Sequence, residues 1–132
     1  MTPLIKKLSE RKTLLIFATL YTVVVTIALL LPAGGLPRID FIPVDKLVHI
    51  CIHVGLVLLW LFYGYKLKNH QGLFPLIIIV VVACLLYGII IEVLQDKYTV
   101  TRQADIMDVL ANVLGSIIGI FLFLRTKQRF KT

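Results

Sequence analysis

Four apolar runs, at residues 13–31, 45–65, 73–94 and 106–124, decide what this chain can become. Each is close to the roughly 20 residues that an α-helix needs to cross about 30 Å of hydrocarbon. Lipid offers no water to backbone amides and carbonyls, so a spanning segment must satisfy them within a helix or a closed barrel. These runs lack the period-two alternation of barrel strands, which leaves helices. The expected fold is all-α: a polytopic membrane protein, a compact bundle of four transmembrane helices in a single domain over residues 1–132.

Composition excludes the soluble alternatives. Hydrophobic residues make up 59% of the chain and charged residues 16%, against about 45–50% and about 25% in soluble domains. In a soluble protein the net charge of +7 would suggest nucleic acid. Here the basic residues flank apolar runs, so membrane lipid headgroups are the expected partners and nucleic acid is not. Cys51 and Cys84 fall inside apolar runs, where a thiol behaves as a small hydrophobe. The first run lacks a small-x-small cleavage site and reads as a retained helix. Ahead of it, Lys6, Lys7, Arg11 and Lys12 alternate with Leu4, Ile5 and Leu8, the pattern of a short interfacial helix.

The segments between the runs set the topology. Pro32, Pro37 and Pro43 with Gly34 and Gly35 end the first helix and make a loop. Asp45 stands where an N-cap of the second helix belongs, and Pro75 falls in the first turn of the third, where its missing donor costs nothing. Residues 95–106 read as an irregular polar segment. The N-terminal segment, the 66–72 turn and the C-terminal tail hold ten of the fourteen basic residues. The positive-inside rule therefore predicts that both termini are cytoplasmic. Asp40, Asp45, Glu92, Asp96, Asp105 and Asp108 gather on the opposite side.

Helical phase narrows that acidic side. Asp45, His49 and His53 recur every four residues, so they share one face of the second helix. Glu92 and Gln95 share a face at the end of the third, above small residues at Gly88 and Cys84. Asp105, Asp108, Asn112, Gly115 and Gly119 form one stripe of the fourth, polar above and glycine below, which suits packing within the monomer. Asp105 also suits an N-cap, with Asp108 supporting it. Asp40 and Asp96 read as ordinary loop charges, and His53 as a packed histidine bonded to a neighbouring helix. For Glu92 the plain structural reading is an ion pair with Arg102 or Lys46. Together the candidate ligand-binding residues are Asp45, Lys46, His49, Glu92, Gln95, Arg102, Asp105, Asp108 and Asn112.

Arg102, whose fork fits carboxylate or phosphate, is the natural anion-binding group, with Lys46 assisting. His49, Glu92 and Asp108 are the acid–base candidates. The same Asp, Glu and His side chains suit a divalent metal equally well. No HExxH, P-loop, nucleophile-elbow or CxxC motif is present.

These residues also carry a resemblance. Asp45-Lys46-x-x-His49, then Glu92-x-x-Gln95, then Arg102 ahead of Asp105-x-x-Asp108-x-x-x-Asn112-x-x-Gly115, resemble in order and placement the VanZ-like family of small bacterial membrane proteins. The likeness covers roughly residues 43–124, and His53 departs from it at a position where an aromatic is common. The family is named for a protein encoded with a glycopeptide-resistance cluster and linked to reduced susceptibility to teicoplanin. The resemblance implies a multi-pass protein of the bacterial cytoplasmic membrane connected to the cell envelope. Three functions fit: a binding protein whose outward pocket engages a lipid-linked or glycopeptide-type ligand, an enzyme acting on a lipid-linked phosphate or glycosyl substrate at the outer leaflet, or a polar rim that only staples helices together.

Overall fold

A computed structural model describes residues 2–31, 44–100 and 103–131. It contains five α-helices: α1 (Pro3–Leu8), α2 (Arg11–Leu30), α3 (Val44–Leu67), α4 (Leu73–Tyr98) and α5 (Ile106–Thr126), the last followed by a 3₁₀ turn (Lys127–Phe130). Helices α2 to α5 are long and apolar enough to cross a membrane. The fold is the expected all-α bundle of four such helices.

Local sequence explains the helix ends. Thr2 caps α1, its hydroxyl accepting from the Ile5 amide at 3.4 Å, with Pro3 at the first helical position. Between α3 and α4 the chain reverses through Asn69 and His70, both at positive φ, and the His70 amide donates to the Tyr65 carbonyl at 2.8 Å. Gly72, also left-handed at φ 62, caps α4, and Pro75 lies in the first turn as expected.

Two boundaries differ from the sequence reading. Asp45 lies within the first turn of α3, which starts at Val44, and not at its N-cap. Its charge still suits the positive end of the helix dipole. Helix α4 continues through Gln95, Asp96 and Lys97 to Tyr98, four residues past the predicted end of the span. Falling hydropathy marks the edge of the lipid, and a helix with its own hydrogen bonds need not stop there. Thr99 ends it, its amide and hydroxyl both donating to the Gln95 carbonyl.

Helix α3 is the centre of the bundle and packs most extensively on α5. Glycines make that approach possible. A Cβ at Gly115 would collide with the Ile50 carbonyl oxygen of α3, and one at Gly119 would stand 3.1 Å from the Val54 oxygen. Helices in lipid gain no hydrophobic drive toward one another, so such small-residue contacts are how their backbones meet. Threonines of α2 bond back along their own helix, Thr22 to the Ala18 carbonyl and Thr26 to that of Thr22, each at 2.7 Å. They also reach across the bundle: the Trp60 indole donates to the Thr22 hydroxyl at 3.1 Å, and the Thr26 and Tyr87 hydroxyls share a bond at 2.7 Å. Ile16, Leu20, Ile79, Ile90 and Ile117 point outward, the apolar exterior that a lipid-facing bundle requires.

The two ends of the bundle differ. Where α3 ends and α5 finishes, Phe123 is fully buried against Phe62 and Tyr65, with ring centroids 5.1 and 5.5 Å away, and Phe130 closes over Phe62 at 4.3 Å. Where α3 and α5 begin and α4 finishes, the interior is polar.

Candidate functional site

At the polar end, α3 supplies Lys46 and, just under one turn further, His49. The Lys46 ammonium is held between two carboxylates of α5, 2.5 Å from Asp105 Oδ2 and 2.7 Å from Asp108 Oδ1. Asp105 is the N-cap of α5 that its sequence position suggested, Oδ1 accepting from the Met107 amide at 2.8 Å. The Lys46 ammonium, and after it the Met107 amide, hold the Asp105 carboxyl below the usual carboxylate range.

His49 is buried between all three helices, only 2% exposed. Its Nδ1 lies 3.2 Å from Asn112 Oδ1. A proton on Nδ1 donating to that oxygen leaves Nε2 with its lone pair. Nε2 faces two carboxylates, 3.6 Å from Glu92 Oε1 and 3.7 Å from Asp108 Oδ2. Both distances are too long for a hydrogen bond. Glu92 is buried as well, and its other oxygen, Oε2, accepts from the Asp105 backbone amide at 3.3 Å. His49 Nε2 and Glu92 Oε1 are thus buried, adjacent and without a hydrogen-bond partner among the described residues. One donor atom each from Asp45, His49 and Asp108 lie within 4.8 Å of one another.

The other predicted residues fall elsewhere. Gln95 shares the inner face of α4 with Glu92, but its amide donates to the Leu29 carbonyl at 2.7 Å and pins the end of α2. His53 behaves as a packed histidine, Nε2 donating to the Cys84 carbonyl at 3.1 Å. Asp96, expected in a loop, sits on α4 and accepts from the Ala104 amide at 3.3 Å. Arg102 lies outside the described residues. The ion pair anticipated for Glu92 with Lys46 does not form, because Lys46 is engaged by Asp105 and Asp108. Sequence reading passed over Ser116, buried one turn below Asn112, where its hydroxyl donates to the Asn112 carbonyl at 2.9 Å. Its place on the α5 stripe, between Asn112 and Gly119, was the available signal.

Gly88 explains how the three helices converge. A Cβ there would stand 2.5 Å from Asn112 Nδ2 and 2.9 Å from His53 Nε2, so any larger residue would push α4 away from both α3 and α5. Glu92, one turn above, is carried to His49 by that close approach.

Asp45, Glu92, Asp105 and Asp108 gather around His49 and Lys46, and Lys46 is shared by Asp105 and Asp108. With its ammonium already shared by two carboxylates, Lys46 is poorly placed to hold an anion. Ionised carboxylates only accept hydrogen bonds, so what these side chains can hold are cations and hydrogen-bond donors. Between α2, α3 and α4 lies a separate apolar hollow of about 330 Å³, lined by residues that include Thr22, Leu56, Trp60, Val80 and Tyr87.

No curated protein and no solved structure matches this chain. A family model does: the order of Lys46, His49, Glu92, Asp108 and Asn112, which the fold gathers at one end of a four-helix membrane bundle, lies within a match to the VanZ/LLP1 family over residues 3–127, and the chain belongs to that family.

Proposed function

We propose that this protein is a binding protein of the bacterial cytoplasmic membrane, with both termini in the cytoplasm and the polar end facing the envelope. Its ligand is of the lipid-linked or glycopeptide type. The observation that carries this reading is the pair of buried atoms without a hydrogen-bond partner, His49 Nε2 and Glu92 Oε1, held by three helices among carboxylates. Unsatisfied buried polar groups carry a cost that a fold retains where a ligand offsets it. These acceptor groups favour a head group rich in amines and hydroxyls over a bare phosphate. The apolar hollow between α2, α3 and α4 supports a ligand that also carries an acyl or isoprenoid chain.

The test is binding by the purified full-length protein in detergent, with a lipid-linked disaccharide-peptide and with teicoplanin as probes. Saturable binding of one of them, weakened at least about tenfold by Glu92→Gln, supports the proposal; tenfold is about 1.4 kcal/mol. Wild-type protein that is folded yet binds neither probe overturns it.

A second reading has one observation in its favour. An imidazole oriented by an amide, with Nε2 against two carboxylates, is also how a general base is arranged. On that reading the protein is a membrane enzyme acting on a lipid-linked phosphate or glycosyl substrate at the outer leaflet, with His49, Glu92 and Asp108 as its acid–base groups. Product formed from the lipid-linked probe by wild type, and abolished in Glu92→Gln at unchanged Tm, would select it.

A further inference from the structure

The spacing around His49 fits neither a direct hydrogen bond nor a bridge through one water. A charge-assisted N–H···O bond measures about 2.7–2.9 Å. Two groups joined through one water stand roughly 4.5 Å apart or more, given two hydrogen bonds of ordinary length. Here Nε2 lies 3.6 Å from Glu92 Oε1 and 3.7 Å from Asp108 Oδ2. Zinc binds imidazole nitrogen and carboxylate oxygen at about 2.0–2.2 Å, so neighbouring donors around a tetrahedral ion are separated by roughly 3.4 Å. The observed distances match that separation to within a few tenths of an ångström.

We propose that the polar end is a binding site for a divalent metal ion of the zinc type, held by His49 Nε2 and one carboxylate oxygen each of Asp45 and Asp108, with Glu92 beside His49. Three observations carry the proposal. His49 is buried, and its Nε2 points into the carboxylates without a hydrogen-bond partner among the described residues. Donor atoms of Asp45, His49 and Asp108 cluster within 4.8 Å.

The third is the outer layer of bonds. Around the inner donors the other polar atoms are engaged: His49 Nδ1 by Asn112, Asp108 Oδ1 by Lys46, and, on the neighbouring Glu92, Oε2 by the Asp105 amide. Metal ligands are oriented by such partners. In this cluster they leave Oε1 and Oδ2 each facing Nε2, at 3.6 and 3.7 Å. A mixed set of one imidazole and several carboxylates suits zinc or manganese better than a soft thiolate-seeking ion.

The inference concerns the same cluster as the envelope-ligand reading but does not depend on that ligand. Its test is a calorimetric titration of Zn²⁺ into metal-stripped, full-length protein in detergent, with no other ligand present. Wild type is expected to take up one ion per chain. His49→Gln and Asp108→Asn should weaken binding by at least about tenfold, and Asn112→Ala, which removes the partner of Nδ1, by about tenfold. His70→Gln, at the opposite end of the bundle, should leave it unchanged.

X-ray absorption on the zinc-loaded wild type keeps the question decidable if a variant fails to fold: it should show one imidazole among oxygen donors at about 2.0–2.1 Å. Helical, monodisperse wild type without saturable uptake would overturn the proposal. So would uptake undiminished in His49→Gln, or sulfur scattering from Cys51 or Cys84. Failure of this titration alone would leave the envelope-ligand reading in place. Zinc uptake with no binding of either envelope probe, in zinc-loaded or stripped protein, would leave the ion and remove that reading.

Discussion

The two ends of this bundle are built from the same helices by different physics. At one end Phe62, Tyr65, Phe123 and Phe130 fill the space between α3 and the end of α5 with tilted and edge-on rings. At the other, Lys46, His49, Glu92, Asp105, Asp108 and Asn112 join α3, α4 and α5 by directional bonds. Because lipid is as apolar as the core, neither end gains much from sequestering carbon from its surroundings. The aromatic end depends on shape and dispersion, and a small change in shape weakens it by degrees. The polar end depends on named atoms, and losing one leaves another buried without a partner. Among the described residues, buried side-chain atoms without a hydrogen-bond partner occur at both ends, His70 Nε2 in the α3–α4 turn and His49 Nε2 with Glu92 Oε1 at the polar end, but only in the latter pair do two such atoms face each other.

Replacing Phe123 tests the aromatic end and should have the largest effect. Phe123→Ala removes roughly 100 Å³ of packed ring, and at about 24 cal/mol per Å³ of cavity the loss is about 2.4 kcal/mol. Denaturation in detergent would read it. Lys46→Met tests the polar end. It leaves Asp105 and Asp108 facing each other without their cation, and the partly exposed position places the cost between surface and buried pairs, at about 2 kcal/mol. Adding Asp108→Asn to Lys46→Met should recover about 1 kcal/mol, since the two groups interact directly. Combining Lys46→Met with Phe123→Ala should instead be additive to within about 0.5 kcal/mol. Marked non-additivity in that last pair would mean that the ends are not independent and that the comparison is wrong.

The same contrast governs how much the sequence revealed. Four spans were legible because length and hydropathy are properties of single helices. The stripe from Asp105 to Gly119 was legible because helical phase is too, and both of its glycines pack against α3. What phase does not contain is the partner across the gap. Glu92 was matched with Lys46 or Arg102 on charge alone, whereas the fold sets it beside His49 and the Asp105 amide. Gln95 shares the face of Glu92 but bonds to α2, because near a helix end a small difference in angle decides which neighbour is reached. The extension of α4 to Tyr98 was hidden by its polar residues, which mark the lipid boundary and not the helix end.

Gln95 gives the next smaller effect. Its bond to the Leu29 carbonyl ties the first span to the polar end but touches none of the carboxylates. Gln95→Leu should cost about 1 kcal/mol, the usual net value of one such bond. It should leave zinc uptake unaltered. Loss of uptake in this variant would extend the site to α2 and sharpen the boundary drawn between binding and bracing.

The smallest effect belongs to the aromatic end, where a histidine joins the packed rings. His70 sits in the α3–α4 turn, edge-on to Tyr65 with centroids 4.8 Å apart. Burial, and then the charges of Lys66 and Lys131, lower its pKa from the ordinary imidazole value. The unfolded chain therefore takes up a proton at higher pH than the folded one. The stability due to neutral His70 is fully present above the unfolded pKa of about 6.5 and is lost as pH falls from there through the folded value. Between pH 7.5 and pH 5 the Tm of wild type in detergent should drop more than that of His70→Gln, and the difference should narrow in high salt as the lysine charges are screened. Equal drops would assign the acid sensitivity of the molecule to its polar end alone. The aromatic end would then be stabilised by packing with no titratable part.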